Sequence, residues 1–573
     1  MIFLKKRKEH KKMNQQTLNQ SRGLEKAEKV LKNGYVLNVF TNEWIKTDIA
    51  IKQDTIIGIG NYHGKEEIDM TGKYIVPGFI DAHLHIESSM TTPVNLMQEL
   101  LPWGTTTLIA DPHEIANVQG LPGIQFMLEQ SKKAEGNIYI MLPSCVPATP
   151  FEDSGATLKA EDLLNLKQDP HVLGLAEMMN FVGVLENDAE VHQKLTTFKD
   201  QIIDGHAPLV LGKDLQAYVL SGISTEHECT SGEEALEKLR SGLFIWIREG
   251  SAAKNLVPIL TYLLKQNISL DRIAFCTDDK HIEDIRKEGT IRASIQKSIA
   301  LGLDPIIAYK AATYTPANCY GLNHLGAIAA GYQADLVVLN DIHQVTIDTV
   351  YVKGNQIIKQ ENPVPETTLA PQNSVHLKPI TKQDLQIKLK SDTPNIIELI
   401  PNQLLTKKIQ EKVTVENDLF IPNQEYQKIV VLERHHSTGK MGKGIVKGLN
   451  LHGAIASTVA HDSHNLVVIG DNDEDIFLAI QEIQTIQGGF VLVQDKTILG
   501  ELPLPIAGLM TNNPVTQTQT TLKELTKIAR NMGVPEEYDP FVTMSFLSLP
   551  VIPEIKITDR GLFDTTQYQF IEN

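Results

Sequence analysis

The sequence predicts an α/β protein whose main part is a TIM-like (β/α)8 barrel, and three observations support this. Short apolar runs alternate with helical stretches along residues 77–325. The runs are continuous rather than alternating, which is typical of parallel strands buried on both faces. Nearly every run closes on a histidine or a carboxylate, as expected where strand ends meet at one mouth. The runs lie at 76–85, 105–114, 172–177, 201–206, 223–228 and 272–279, with helical stretches at 232–240 and 252–265.

The first run ends in two histidines, His83 and His85, spaced two positions apart. On an extended strand this spacing puts both imidazoles on one face, where they can converge on one metal ion. A half-buried strand with two polar residues on its wet face explains the pair equally well. The pair alone therefore does not decide between a metal site and an ordinary strand.

The later runs end in further potential metal ligands, namely Glu177, His206, His227 and Asp278. In a barrel these side chains would meet His83 and His85 around one mouth. One histidine at a strand end is more often structural, but six imidazoles and carboxylates at strand ends indicate a metal site. A donor set without thiolates suits manganese, iron or zinc. The sequence therefore predicts a metallohydrolase.

Longer motifs extend this prediction to a known family. The first histidine pair, the two later histidines and the final aspartate resemble the amidohydrolase superfamily. Within it the chain resembles the bacterial adenine deaminases from about Lys29 onward. The motifs that carry this resemblance are HIESSM at 85–90, GTTT at 104–107, ADPHEIANV at 110–118, DGHAP at 204–208, EHEC at 226–229, CTDD at 276–279, ERHH at 433–436 and ASTVAHDSHN at 456–465.

The resemblance implies hydrolytic deamination of adenine to hypoxanthine and ammonia by a metal-activated hydroxide, in purine salvage. It implies adenine and water as small-molecule partners and a binuclear divalent metal centre. Mn²⁺ is favoured, and Fe²⁺ or Zn²⁺ stays open. Many binuclear relatives bridge their metals with a carboxylated lysine on the fourth strand, where this chain has Glu177. A carboxylate can bridge two cations directly.

Deamination also requires a proton shuttle and a group that polarises the purine. Asp278 is the predicted shuttle and Asp279 the alternative. His113 and Glu114 follow the second strand and could polarise the substrate, with a capping pair that opens the next helix as the alternative. Asp111, Asp279, His435 and His436 are predicted to contact the substrate. Trp103 stands where a histidine is expected in close relatives, and we expect it to alter packing rather than chemistry.

Five parts of the chain are predicted. Residues 1–24 form a basic tail that is expected to be disordered. Residues 25–76 and 326–360 form a composite β-sandwich, whose second half is implied by the resemblance to amidohydrolases. Residues 77–325 form the barrel, 361–378 a proline-rich linker, and 379–573 an α/β domain of the type found in adenine deaminases.

Composition limits the other function classes. The formal charge of −17 repels polyanions, so no nucleic acid partner is expected despite the basic run at 5–12. No apolar run reaches the ~18 residues of a membrane span, and four scattered cysteines fit a reducing cytoplasm. A homodimer is expected from base rates alone. Two alternatives stay open: an amidohydrolase acting on another cyclic amide or nucleobase, and a catalytically silent relative.

Overall fold

The central part of the molecule is a curled parallel sheet surrounded by helices. The computed structural model describes residues 14–251, 253–358 and 373–573. Five parallel strands lie side by side, in the order Phe79–Leu84, Thr105–Ala110, Asn137–Leu142, Val172–Met178 and Ile202–Gly205. A second parallel group consists of Thr225–Glu226, Phe244–Arg248 and Ile273–Cys276. The α/β class predicted from the apolar runs is confirmed.

The two groups of parallel strands meet at both of their edges. At one edge the backbone N–H of Ser224 donates to the carbonyl of Ile203 at 2.9 Å. At the other edge Leu84 and Asp278 form a parallel bridge. The Asp81 carboxylate accepts hydrogen bonds there from the backbone N–H and the hydroxyl of Thr277, at 3.0 and 2.6 Å. The first and last strands are therefore neighbours, which brings residues near position 83 next to residues near position 278.

Helices cover the outside of this sheet because its strands are apolar on both faces. Inside the curl, small and large side chains such as Ala82, Met141, Ala176 and Trp246 pack together. The covering helices are Pro93–Leu100, His113–Gln119, Leu121–Lys133, Ala160–Leu163, Phe181–Leu185, Ala189–Phe198, Gly212–Leu220, Gly232–Arg240, Leu256–Leu263, Ile282–Glu288, Ile291–Ala300, Pro305–Ala311 and Tyr314–Cys319. Short 3₁₀ turns lie at Ile86–Ser89, Leu101–Trp103, Leu166–Gln168 and Leu264–Gln266. The half-buried Trp103 packs against Gly289 and Arg292, away from the strand ends that carry the predicted ligands.

A smaller β domain is built from both flanks of the parallel sheet. Tyr74–Pro77 pairs antiparallel with Leu336–Asp341, which joins the two chain segments. The strands of the predicted sandwich form one hydrogen-bonded sheet: Asn355–Gln356, Thr346–Val352, Leu336–Asp341, Tyr74–Pro77, Ala27–Asn38, Glu43–Lys52 and Thr55–Gly60, with Gly64–Asp69 also paired to Ala27–Asn38.

The C-terminal part is a second α/β unit with a mainly antiparallel sheet. Its strand order is Thr406–Gln410, Asn395–Leu399, Met441–Lys447, Tyr426–Leu432, Leu466–Gly470, Ala454–Ser457, Gly489–Gln494 and Thr497–Pro503. Helix Asp473–Ile486, capped by Asn472, covers one face, and Val515–Asn531 with Pro540–Ser545 covers the other. Smaller elements are the 3₁₀ turn Lys382–Leu385, the pair Val415–Glu416 and Leu419–Phe420, and the strands Ile555–Thr558, Gly561–Asp564 and Gln569–Ile571.

Three local predictions need correction or completion. Gln15–Ser21, inside the predicted disordered tail, is a helix: Asn14 caps it, and the Ser21 hydroxyl donates to the Ile57 carbonyl at 2.6 Å. The helix expected from 252 begins only at Leu256, because Glu249 and Lys254 pair as a bridge. The strands Asn137–Leu142 and Phe244–Arg248 were not predicted. The basic run at 5–12 and most of the 361–378 linker lie outside the described residues.

The helices of the described ranges include none that is both long enough and apolar enough to cross a membrane.

Candidate metal centre

Two histidines from the first strand and one aspartate after the last strand form one side of the site. His83 lies in Phe79–Leu84 and His85 just beyond it, with ring planes 88° apart. The backbone N–H of Asp278 donates to the His83 carbonyl at 3.0 Å, and that of His85 donates to the Asp278 carbonyl at 3.2 Å. These bonds hold Asp278 with φ at 57°, a left-handed conformation that costs free energy in a residue other than glycine. The backbone therefore fixes where the Asp278 carboxylate points.

Glu177 lies between two groups of imidazoles. Its Oε1 atom is 3.8 Å from His83 Nε2 and 3.4 Å from His85 Nε2. Its Oε2 atom is 2.7 Å from His206 Nδ1 and 3.2 Å from His227 Nε2. One carboxylate thus faces a different pair of histidines with each oxygen, which is the arrangement of a ligand shared by two cations.

The donor atoms fit a pair of metal ions by spacing and by lack of other partners. Asp278 completes the first set, with His85 Nε2 at 3.5 Å from Oδ1 and His83 Nε2 at 3.9 Å from Oδ2. Ligand atoms about 2.1 Å from one cation lie about 3 to 3.5 Å from one another, close to these separations. The buried Nε2 atoms of His83 and His227 have no hydrogen-bond partner among the residues that the structure describes. All six predicted ligands therefore converge on one site.

The neighbours of His85 fix the orientation of its ring. Its Nδ1 lies 3.0 Å from the Asp111 carbonyl, so that nitrogen donates to the carbonyl and Nε2 is left free as a ligand atom. The Asp111 carboxylate accepts from His113 Nδ1 at 3.0 Å, and the same nitrogen is 3.4 Å from Glu177 Oε1. Asp111 therefore supports the site through two histidines, and His113 lies beside the bridging carboxylate.

The excess of carboxylates governs the charge of the site. Burial would raise the pKa of Glu177, but the surrounding imidazoles, led by His227, hold it well below its usual range. Burial lowers the pKa of His83 well below its usual value, so that imidazole is neutral. Burial also opposes protonation of His227, yet Glu177 and the other carboxylates raise its pKa to about 10. In the absence of cations, protons would compensate this negative charge, and metal binding would displace them.

Arg248 organises the carboxylates on the opposite side of the mouth. Its Nη1 donates to Glu228 at 2.5 Å and lies 3.1 Å from Asp278, while Nη2 donates to Asp279 at 3.1 Å. Burial raises the pKa of Asp278 to about 6 even though Arg248 opposes this. Asp279 also accepts from the Ser88 hydroxyl at 2.5 Å. Asp278 therefore faces the metal-binding atoms, whereas Asp279 is held by Arg248 and Ser88.

Glu114 connects this site to the C-terminal domain. It lies in the first turn of helix His113–Gln119, with Oε1 3.4 Å from His113 Nε2 and 2.7 Å from His461 Nδ1. His464 Nε2 contacts the other oxygen of the same carboxylate. The pair opens this helix, but Pro112 is the N-cap and no side chain caps it, and the role of the pair in polarising the substrate stays a prediction.

The structure places His435 and His436 behind the mouth. His435 Nε2 donates to the Ser463 carbonyl at 2.8 Å, and burial lowers the pKa of that imidazole well below its usual value. The exposed His436 lies 3.1 Å from the Ser154 carbonyl, also through Nε2. Neither joins the cluster around Glu177, and their contact with the substrate stays a prediction.

The sequence reasoning missed several residues of the site. Arg248 ends an apolar run in the same way as the predicted ligands, but arginine is not a metal ligand and the run was overlooked. Glu228, Ser88, His461 and His464 stood in recognised motifs without an assigned role. Its place at the end of strand Phe244–Arg248 is the signal that marks Arg248.

Comparisons with known proteins identify relatives of this chain. Residues 74–357 match the model described as "Amidohydrolase family", and residues 403–569 match "Adenine deaminase C-terminal domain". The adenine deaminase of Desulfitobacterium hafniense (strain Y51) is 45% identical over 96% of this chain and 97% of that protein. "Adenine deaminase 2" of Carboxydothermus hydrogenoformans is 46% identical over 96% of this chain and 97% of its own. A crystal structure of an adenine deaminase covers 58% of this chain and 99% of its own, at 18% identity and a TM-score of 0.46.

The fold and the histidine and carboxylate cluster define a metal-dependent hydrolase of the amidohydrolase class. Adenine deaminases match almost the whole chain at about 45% identity. The chain therefore belongs to the adenine deaminase family.

Proposed function

We propose that the chain hydrolyses adenine to hypoxanthine and ammonia. The observation that carries the proposal is the near full-length match to adenine deaminases, in a chain whose Glu177 lies between two sets of imidazoles. Hydrolysis adds the oxygen of water at C6 and expels the amino group as ammonia. The site must therefore activate water, protonate the ring and move a proton to the leaving nitrogen.

Two divalent cations fit the donor atoms of this chain. His83, His85 and Asp278 would hold one cation, His206 and His227 the other, and Glu177 would be shared. When bound, such cations lower the pKa of water from ~15.7 toward ~7, which supplies a nucleophile at neutral pH. We propose Mn²⁺ as the preferred metal, with Fe²⁺ or Zn²⁺ as possible substitutes, because nitrogen and oxygen donors without thiolates suit these ions.

The protein side chains then handle the protons. Asp278 would accept a proton from the attacking water and deliver it to the departing amino group, because its backbone holds it against both histidine pairs. His113, with a pKa raised well above its usual value by Asp111 and other carboxylates despite burial, would donate to a ring nitrogen. Asp111 would orient His113 by accepting its Nδ1–H, which leaves Nε2–H, 3.4 Å from Glu114 Oε1, to donate to the ring nitrogen.

The cellular setting follows from the proposed reaction. Release of hypoxanthine from free adenine belongs to purine salvage, which we place in the cytoplasm, where the four free cysteines would stay reduced. We also propose a homodimer. Exposed apolar side chains on neighbouring helices and loops support it, including Val182 at 56%, Leu209 at 73% and Leu220 at 88%.

The proposed function is tested with four substrates offered in parallel to Mn²⁺-loaded protein. Adenine, adenosine and cytosine are assayed by ammonia release. Dihydroorotate is assayed by loss of the substrate, because hydrolysis of its cyclic amide opens the ring and releases no ammonia. We expect release from adenine alone, and none after the metal is removed with a chelator. Ring opening of dihydroorotate, or ammonia release from cytosine, without ammonia release from adenine would assign the site to another cyclic amide or nucleobase. A folded, metal-loaded protein that is silent on all four would indicate a catalytically silent relative.

A further inference from the structure

One short segment of the C-terminal domain, residues 461–464, reaches the mouth of the parallel sheet. All four side chains of this segment are buried, at 7%, 4%, 0% and 1% exposure for His461, Asp462, Ser463 and His464. Two of them contact Glu114, a residue 347 and 350 positions earlier in the chain. Glu114, His461 and His464 are also close enough together to hold a cation. These three residues could form either a metal site or a hydrogen-bonded contact between the two domains. The hydrogen bonds of His464 distinguish these two possibilities.

The tautomer of His464 argues against a cation there. The backbone N–H of Ala460 donates to His464 Nδ1 at 3.1 Å, so Nδ1 carries a lone pair and no proton. Burial lowers the pKa of His464 to about 4, so the imidazole is neutral and its single proton is on Nε2. That proton points at Glu114, which is ionised because His461 and His464 outweigh the effect of burial on its pKa. His464 therefore donates to Glu114 and fixes that carboxylate.

His461 uses the other oxygen of Glu114 and keeps one nitrogen free. Because the carboxylate can only accept, Nδ1–H of His461 donates to Oε1 across 2.7 Å. The ring is stacked on Phe546, with centroids 4.5 Å apart, and its backbone N–H donates to the Ser545 carbonyl. Glu114 raises the pKa of His461 to about 9 against the effect of burial, so Nε2 carries a proton at neutral pH. Within the described ranges this Nε2–H has no hydrogen-bond acceptor.

Asp462, the next residue of the segment, presents an acceptor. Its Oδ2 atom is buried and has no hydrogen-bond partner in the part of the chain that the structure describes. Burial raises the pKa of Asp462 to about 6, and the charged groups that act on it are His113, Glu114, His461 and Glu177. Burying a carboxylate without a hydrogen-bond partner destabilises the folded protein, because the lost hydration is not replaced. Such a group is expected where a ligand supplies the missing partner.

We propose that His461 and Asp462 form the purine-binding wall of the site: His461 Nε2–H donates to the unprotonated nitrogen of the imidazole half of adenine, and Asp462 accepts its N–H. This inference rests on the proposed function and extends it to recognition. The imidazole half of adenine carries one N–H group and one bare nitrogen, which match one acceptor and one donor on the protein. The C-terminal domain would thus bind the base while the parallel sheet supplies the chemistry.

The test compares wild type with His461→Gln and Asp462→Asn, using adenine, 7-deazaadenine and 9-deazaadenine. Each analogue replaces one imidazole-half nitrogen by C–H and keeps an N–H at the other. We measure kcat/KM for adenine and the competitive inhibition constants of both analogues. A hydrogen bond to a charged group contributes about 1.5–3 kcal/mol, so each substitution should lower kcat/KM for adenine by about 10- to 100-fold. At least one analogue should bind to the wild type about 10- to 100-fold more weakly than adenine does. His461→Gln should lower the affinity for that analogue only slightly further.

Stability separates recognition from a structural role. Asp462 Oδ2 has no hydrogen-bond partner in the described part of the chain, so its replacement breaks no contact of that atom. Asp462→Asn should therefore keep its metal and melt no lower than the wild type, and the same is expected of the second variant, Asp462→Ala. The matched control, His464→Gln, weakens the Glu114 contact from the other side, so it should lower the melting temperature and leave the discrimination between adenine and its analogues unchanged.

Two results would overturn the inference. One is a kcat/KM for adenine within threefold of wild type in both His461→Gln and Asp462→Asn. The other is a His461→Gln variant in which kcat/KM for adenine and the affinities for both analogues fall by the same factor. Failure of the proposed function looks different, because the wild-type protein itself would then release no ammonia from adenine.

Discussion

Replacing Glu177 by alanine is expected to remove both bound metal and activity. Both oxygens of this carboxylate face imidazoles, so its loss takes a ligand from each cation at once. Metal activation contributes several kcal/mol to stabilisation of the transition state, and each 1.36 kcal/mol is a factor of ten in rate. We therefore expect kcat/KM for adenine to fall by at least about 10³-fold, and metal content to fall well below two per chain. Metal analysis and steady-state kinetics on the same preparation measure both.

The control for this variant is Glu186→Ala, which removes an exposed glutamate just after helix Phe181–Leu185. It should keep its metal and its activity. Glu177→Gln is the companion variant, because it retains the shape of the side chain and removes only the charge. If Glu177→Ala or Glu177→Gln kept two metals and wild-type kcat/KM, Glu177 would not be the shared ligand.

Replacing Asp278 by asparagine is expected to lower kcat more than it changes metal content. Asparagine tolerates the left-handed conformation that Asp278 adopts at φ 57°, so the backbone bonds to His83 and His85 should persist. The amide oxygen can still approach a cation, but the amide cannot take up a proton and release it again. Loss of a positioned proton carrier costs about 10²- to 10⁴-fold in rate. We expect kcat to fall within this range, with KM changed far less.

Asp279→Asn decides whether the proton shuttle has been assigned to the correct residue. Asp279 is the neighbouring carboxylate, but it is held by Arg248 and Ser88 rather than by the metal-binding histidines. Its replacement should reduce kcat less than Asp278→Asn does. A larger loss in Asp279→Asn, at equal metal content, would transfer the shuttle to Asp279.

The convergence of the six predicted ligands could be foreseen because it follows a rule of the fold. Each of the six comes at or just after an apolar run, and parallel strands bring such ends together whatever their separation in sequence. The position of Glu177 between the two histidine pairs was also expected, since a bridging group was required and no lysine stood there. The resemblance to a known family then narrowed the chemistry to deamination.

The contacts between domains could not be predicted in the same way. Glu114 and His461 are 347 positions apart, and no periodic pattern states how two domains dock. Arg248 was not predicted because the apolar run before it, which forms the strand Phe244–Arg248, was not recognised as a strand. The helix Gln15–Ser21 was missed because its stability comes from tertiary hydrogen bonds to the β domain, which local composition does not reveal.

The most direct measurement is a titration of metal-free protein with Mn²⁺, in which bound metal and hypoxanthine formation from adenine are followed together. A site with Glu177 shared between two donor sets predicts that activity rises with bound metal and reaches its maximum at two ions per chain. Full activity at one ion per chain would contradict the shared carboxylate. Two bound ions without any hypoxanthine would contradict adenine as the substrate.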